Sequence, residues 1–401
     1  MNNVVVSIAR AGMNALYLLM RATHRRRNEV ALVSRQADEP SYDFRMIAQQ
    51  FRDAGWKATF HVRKIRASGG TGSQTGGAGM VAYAGHVLRE LALLSRCRVV
   101  VLDRYDPVVG MLNFTCANAP ALPSPNAQGN EAGVLHREFP TEPVVVQMWH
   151  AFGAFKKFGY QSAGGREGHA LSTLKRLNIH RNYTWVLCSG EAARQPFADA
   201  FAYPIERVVA FARPSYLSLK EEAGRLAQAG AAAKDADAQR TPTVLVAPTV
   251  RMSAQSPHPL HELRAHADSI GETLGARLSW SAHPLEMGLP APGGTNPQLI
   301  DADVVVTDYS SIVYEAYLLG KPVVFFVADY DAYCETPGLN ADPMRLCPQL
   351  CARTEDELKG LLAQALSDPE GTAQLLEPFA APAFEGADTA YSDLPLLLAR
   401  K

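Results

Sequence analysis

Short apolar runs recur along the chain, each closed by a turn-forming residue and followed by a stretch with helical spacing. The clearest begins at Val304, Val305, Val306 and Thr307, apolar on both faces as a strand inside a parallel sheet must be. The chain then turns through Asp308-Tyr309-Ser310-Ser311 into a helix, with Ile312, Val313, Ala316 and Leu319 at helical intervals. Gly320 stands where a helix-ending glycine belongs, Lys321-Pro322 forbids continuation, and residues 323–327 form the next strand. This is one complete strand-turn-helix-strand unit.

The same alternation runs through the rest. Strands are predicted over 29–34, 57–62, 98–102, 143–148, 184–188, 243–247 and 277–282, and helices over 41–54, 81–94 and 260–274. Residues 354–366 read as an amphipathic helix with Thr354 as N-cap and Glu357 closing a capping box. Alternating strands and helices imply α/β architecture with parallel, helix-covered sheets. The alanine-rich, charged stretch 219–240 is the natural boundary. It divides the chain into an N-terminal helix (1–28), a first Rossmann-like domain (29–218), a linker (219–242) and a second (243–401). The glycine-rich stretch 68–79 fails both phosphate-loop fingerprints and reads as a low-complexity loop.

The 401 residues suffice for two domains, and 47% hydrophobic with 20% charged residues is a globular composition. A formal net charge of −1 gives no basic field for nucleic acid. Six cysteines without CxxC spacing suit a reducing compartment. No run reaches the length of a membrane span and no secretory signal is evident, so a cytoplasmic location is expected. Residues 3–20 nevertheless place Val5, Ile8, Gly12, Leu16 and Leu19 on one helical face, away from Arg10 and Asn14. Arg21, His24, Arg25, Arg26 and Arg27 follow. That pattern suits an anionic membrane surface, or equally a helix packed on its own domain.

Candidate chemistry gathers at strand ends. Ser310 and Ser311 offer hydroxyls, free N–H groups and a helix N-terminus to one point, an arrangement that favours phosphate. In isolation Ser310 would be only an N-cap. His150 follows the strand at 143–148, His283 the strand at 277–282, and Arg251 lies just beyond 243–247. In open α/β sheets ligands sit at that edge, and two such sheets facing each other make one cleft. His258, His261 and His266 read as polar helix-face residues and no carboxylate pattern marks a magnesium site, so no metal ligands are assigned and the sequence leaves a divalent-metal requirement open.

QMWHAFGAFKKFGY (147–160), APTVR (247–251), SAHP (281–284) and VVVTDYSSIVYEAYLLGKPVVFF (304–326) together resemble the CDP-glycerol glycerophosphotransferase family, the glycerol and ribitol phosphate transferases of teichoic-acid synthesis. The resemblance implies a GT-B fold, two Rossmann-like domains facing across a cleft. It also implies transfer of a polyol phosphate from CDP-glycerol or CDP-ribitol to a lipid-linked acceptor on the inner face of the cell membrane, with no separate cofactor and no nucleic-acid partner. On this reading Ser310, Ser311, Asp308, Arg251 and His283 hold the donor pyrophosphate and His150 takes the acceptor proton. Glu315 reaches the ribose or is an ordinary helix-face carboxylate, and Lys156 and Lys157 lie on the acceptor side. A GT-B glycosyltransferase with a nucleotide-sugar donor, or a non-catalytic nucleotide-binding relative, are the competing readings.

Overall fold

The computed structural model describes residues 3–35, 37–64, 77–114, 142–166, 168–232, 240–249, 251, 258–281, 297–387 and 392–399. The first sheet comprises β1 (Arg27–Ser34), β2 (Lys57–Val62), β3 (Cys97–Leu102), β4 (Val144–Gln147), β5 (Trp185–Cys188) and β6 (Val208–Ala210), in the order β2-β1-β3-β4-β5-β6. The second comprises β7 (Thr243–Ala247), β8 (Arg277–Trp280), β9 (Val304–Thr307), β10 (Val323–Phe326) and β11 (Cys351–Ala352), in the order β11-β10-β9-β7-β8. All these strand pairings are parallel. Both-face burial explains the unbroken apolar runs, since β9 and β10 are buried at every position.

The two sheets share one topology. In each, the first strand lies between the second and the third, so the order reverses at β1/β3 and again at β7/β9. Crevices at such switch points, beyond the C-terminal ends of the strands, are where open sheets bind ligands. β9 runs straight into the Asp308–Ser311 turn, and β7 into Pro248, Thr249 and Arg251. The turn that stands out in the sequence therefore sits at the switch point of the second sheet. This is the GT-B arrangement the resemblance implied.

Two helices outside the sheets help tie the halves together. The helix Pro214–Ala232 starts ahead of the expected linker because Tyr216 and Leu219 are buried in the core shared with Val313, Tyr314 and Phe384. The C-terminal helix Leu394–Ala399, expected in the second domain, instead lies on the first. Leu394 and Leu397 bury against Phe44, Ile47 and Phe51 of α2 (Tyr42–Asp53), and Gln50 bonds both the Ser392 carbonyl and the Leu394 N–H. A short apolar stripe needs a cover, and the outer face of α2 supplies it.

The N-terminal helix α1 (Asn3–Thr23) packs on its own domain along one face and leaves apolar residues exposed along the other. Val6 and Tyr17 are buried, Met13, Leu16 and Met20 pack on the first core, and Asn14 bonds the Met111 carbonyl and the Asn113 N–H. Arg10 reaches the Arg176 carbonyl. Arg10 and Asn14 thus lie on the packed face. Val4, Val5, Ile8, Leu18 and Leu19 point outward, each more than half exposed. Contrary to the expectation that no run reaches that length, the helix is long and apolar enough over Val4–Thr23 to cross a membrane by length and composition. The basic cluster is partly consumed: Arg26 bonds the Leu94 and Cys97 carbonyls and pairs with Glu142, leaving Arg25 and Arg27 exposed.

Candidate active site

The Thr307–Ser311 block divides into a locked half and an open half. Thr307 Oγ1 donates to the Ala247 carbonyl, Asp308 Oδ1 accepts from Thr249 N–H at 2.8 Å, and Tyr309 N–H reaches Thr249 Oγ1. The block therefore rivets the end of β9 to the end of β7. Tyr309 is fully buried, stacked on Tyr333 with centroids 3.7 Å apart. Ser310 and Ser311 are only half-buried, and Ser311 makes no side-chain cap bond although it is the N-cap residue of Ile312–Leu318. Ser310 Oγ stands 3.5 Å from Ile312 N, at the outer limit of a bond. Simple capping does not explain this pair, and its hydroxyls face outward from a rigid base.

Arg251 is turned the other way. Its guanidinium lies between Asp308 at 2.9 Å and Asp329 at 3.1 Å, against the Tyr333 ring, with its side chain 3% exposed. A cation balanced by two carboxylates and shielded by aromatic rings does not reach a phosphate in this arrangement. Asp308 spends its own carboxylate on Thr249 and Arg251. Both residues brace the serine turn, which differs from the direct phosphate contacts expected of them. His283 lies outside the described residues.

On the first sheet, β4 ends at buried Gln147, whose side-chain oxygen accepts from Trp149 N–H while its amide donates to the Arg104 carbonyl. Trp149 adopts φ +63°, a left-handed conformation uncommon for a bulky residue, and its indole stacks on Phe158 and meets Phe201 edge-on. Anchoring the tryptophan inward leaves His150 exposed, with Nε2 3.3 Å from Arg104 at the end of β3. Such strain, held by surrounding packing, is characteristic of functional positions. Next to Arg104, burial pushes the Asp103 carboxyl up to about 6, against the lowering pull of the Arg104 charge.

The segment after His150 joins the sheets at their C-terminal ends. Phe152 and Phe155 enter the second core, Phe155 packing edge-on against Phe325 and Phe379. Phe155 carbonyl accepts from Asn340 N–H, and Lys157 N–H donates to Gly338. Lys156 pairs with Leu339 in an antiparallel bridge, and Lys157 is exposed beside it. The two lysines expected on the acceptor side thus lie on the interdomain seam. Glu315 faces that seam too, near Arg213 and Asp43; burial raises its carboxyl to about 7, with Arg213 opposing. Its environment is a charged interdomain cluster rather than open helix surface.

The profile of the family described as CDP-Glycerol:Poly(glycerophosphate) glycerophosphotransferase matches residues 15–285 and 296–393. The chain belongs to this family. Among its relatives is a teichoic acid ribitol-phosphate primase of Bacillus spizizenii, 27% identical, aligned over 76% of this chain and 74% of that protein. A poly(ribitol-phosphate) polymerase of the same organism is 29% identical over 55% of this chain but only 38% of its own length. Its glycerol-phosphate primase is 24% identical, over 58% and 62% respectively. The solved wall teichoic acid polymerase TagF superposes with a TM-score of 0.59 at 13% identity, covering 94% of this chain and 92% of that one. At that identity the likeness establishes the fold.

Three further residues at these strand ends, Arg104, Arg213 and Asp329, belong to the same surroundings. Arg104 follows β3 directly, just as Trp149-His150 follows β4, so the strand-end rule that found His150 would also have found it. Arg213, a few residues past β6, is buried with its guanidinium 4.0 Å over the Phe152 ring, and Nε donates to Ser215 and lies 3.6 Å from Asp43. Asp329, the second carboxylate on Arg251, follows β10 and carries no local signal in the sequence.

Proposed function

We propose that the chain transfers glycerol phosphate or ribitol phosphate from the CDP-alditol to a hydroxyl of a lipid-linked acceptor in teichoic-acid-type polymer synthesis, releasing CMP. The acceptor oxygen attacks the β-phosphorus in line, the bond from that phosphorus to the CMP oxygen breaks, and the acceptor proton passes to His150. Phosphoryl transfer asks mainly for positioning and charge neutralisation. Ser310 and Ser311 donate to the pyrophosphate, with Arg251 and Asp308 holding their turn rigid and His283 completing the donor side. A neutral imidazole is a competent base near neutral pH.

The observation that carries this reading is the pair of half-buried serines on a switch-point turn that Thr307, Asp308 and Tyr309 bind to the end of β7. The family membership and the relatives' names support the donor class, and the outward apolar stripe of α1 supports work at the cytoplasmic face of a membrane. The deciding experiment incubates the purified protein with a membrane extract and a panel of donors, and identifies the released nucleotide. CMP from CDP-glycerol or CDP-ribitol is expected. UDP or GDP from sugar nucleotides would assign it to the glycosyltransferases, and no release from any donor would leave a binding protein.

A further inference from the structure

His61, near the end of edge strand β2, meets His86 and Glu90, which lie one turn apart on α3 (Gly77–Arg96). The two imidazoles stack with centroids 4.0 Å apart, and each Nε2 lies 3.8 Å from the same Glu90 oxygen, too far for a hydrogen bond. The three side chains are 9%, 5% and 0% exposed. Both Nε2 atoms and both Glu90 oxygens lack a hydrogen-bond partner, as does Oδ2 of buried Asp106, whose Oδ1 caps the helix Pro107–Met111. Buried polar groups are nearly always paired, and each orphan costs roughly 1–3 kcal/mol. The two carboxylates can share a proton, but the two imidazole Nε2 atoms still call for a partner.

We propose that His61, His86 and Glu90 bind a divalent transition-metal ion, zinc by preference, which fastens β2 to α3. The donor set is the kind zinc takes, two imidazole nitrogens and one carboxylate oxygen. All three ligand atoms lie within 4.8 Å of one another. Tetrahedral zinc with bonds of ~2.0–2.2 Å places its ligands about 3.4 Å apart, so binding draws Glu90 inward and swings the stacked rings apart by about an ångström until both Nε2 lone pairs meet one ion. Charge balances as well, because Glu90 and neighbouring Asp106 supply two negative charges to a buried dication. Two imidazoles disfavour magnesium and calcium, which take oxygen ligands. The site is invisible to motif reading because its histidines come from two elements separated by the glycine-rich stretch.

The alternative is a proton shared between Glu90 and Asp106, which would satisfy the carboxylates without a metal. The test uses untagged full-length protein stripped with EDTA, then titrated with Zn²⁺ against a chromophoric chelator and separately with Co²⁺. The wild type should bind one zinc per chain, gain thermal stability on binding, and show the intense visible absorption of four-coordinate cobalt. Glu90→Gln, nearly isosteric, should weaken zinc binding by at least ~100-fold, the upper end of what loss of an outer-shell partner costs. His258→Gln, remote from this cluster, should leave it unchanged. The cobalt spectrum needs no variant, so misfolding of Glu90→Gln cannot hide the answer. Wild-type protein that takes up neither metal overturns the proposal in favour of the shared proton, and equal zinc retention by Glu90→Gln overturns it as well.

Discussion

His150 and Ser311 occupy opposite walls, and their replacement should separate chemistry from binding. Because His150 projects from the first sheet while the serine turn belongs to the second, His150→Ala should lower kcat by ~10²–10⁴, the range for a lost general base, with little change in CDP-alditol affinity. Ser311→Ala should weaken donor binding by about 1 kcal/mol, the worth of one neutral hydrogen bond. Calorimetry with CDP-glycerol and CDP-ribitol, beside single-turnover rates, reads both effects. Loss of donor binding in His150→Ala with full binding in Ser311→Ala would exchange the two assignments. Arg251 belongs in a different category: with its charge balanced by Asp308 and Asp329, its removal strips a buried partner from two carboxylates and acts on the turn as a whole.

At the scale of elements, the segment from Trp149 to Lys157 makes two walls into one site. Gly153 carries φ +59°, and a Cβ there would stand 2.3 Å from the Tyr314 ring, on the very helix that follows the serines. Its N–H donates to Ser189 Oγ, which in turn donates to the Ala383 carbonyl of the returning C-terminal segment. Gly153→Ala should therefore destabilise the protein by about 1–3 kcal/mol from overpacking, with backbone strain adding about 1–2 kcal/mol. Because the seam sets the spacing of His150 and the serines, activity should fall further than stability alone explains. Chemical denaturation alongside turnover under native conditions checks this, and an unshifted midpoint would mean that the seam is looser than its geometry. The strands and the serine turn were legible in the sequence because each is a local pattern: a both-face apolar run, then turn residues, then helical spacing. The seam was not, since FGAFKK reads as loop, and Phe325, Phe379 and Phe384, far along the chain, reveal where its phenylalanines go. The inward turn of Arg251 was hidden for the same reason, because Asp329 and Tyr333 come from the N-cap and the body of the helix that follows β10.

At the scale of the molecule, α1 presents one face to the protein and the other to its surroundings. Val4, Ile8, Ala11, Ala15, Leu18 and Ala22 recur at helical intervals along the outward side, with Val5 and Leu19 beside them, and all are exposed. An apolar stripe this long on a helix already anchored by Tyr17 and Asn14 fits a helix lying flat in the headgroup region, its polar anchors facing the domain. Exposed Arg25 and Arg27 at its end add attraction to anionic lipid, but only two of the basic cluster are free to do so, so salt should release the protein from vesicles only in part. Deleting the helix would be a poor test, because it uncovers the core around Tyr17 and Met13. The cleaner change is Ile8→Glu with Leu19→Glu, two residues 67% and 65% exposed whose loss leaves the packed face intact. Full burial of each side chain is worth roughly 1.5–3 kcal/mol, so even partial insertion makes the double variant bind phosphatidylglycerol vesicles more than ~10-fold more weakly. Its thermal midpoint and its turnover on a soluble acceptor analogue should stay at wild-type values. Vesicle binding equal to wild type would show that the stripe faces something other than lipid, and the cytoplasmic-surface placement would then rest on the two arginines alone.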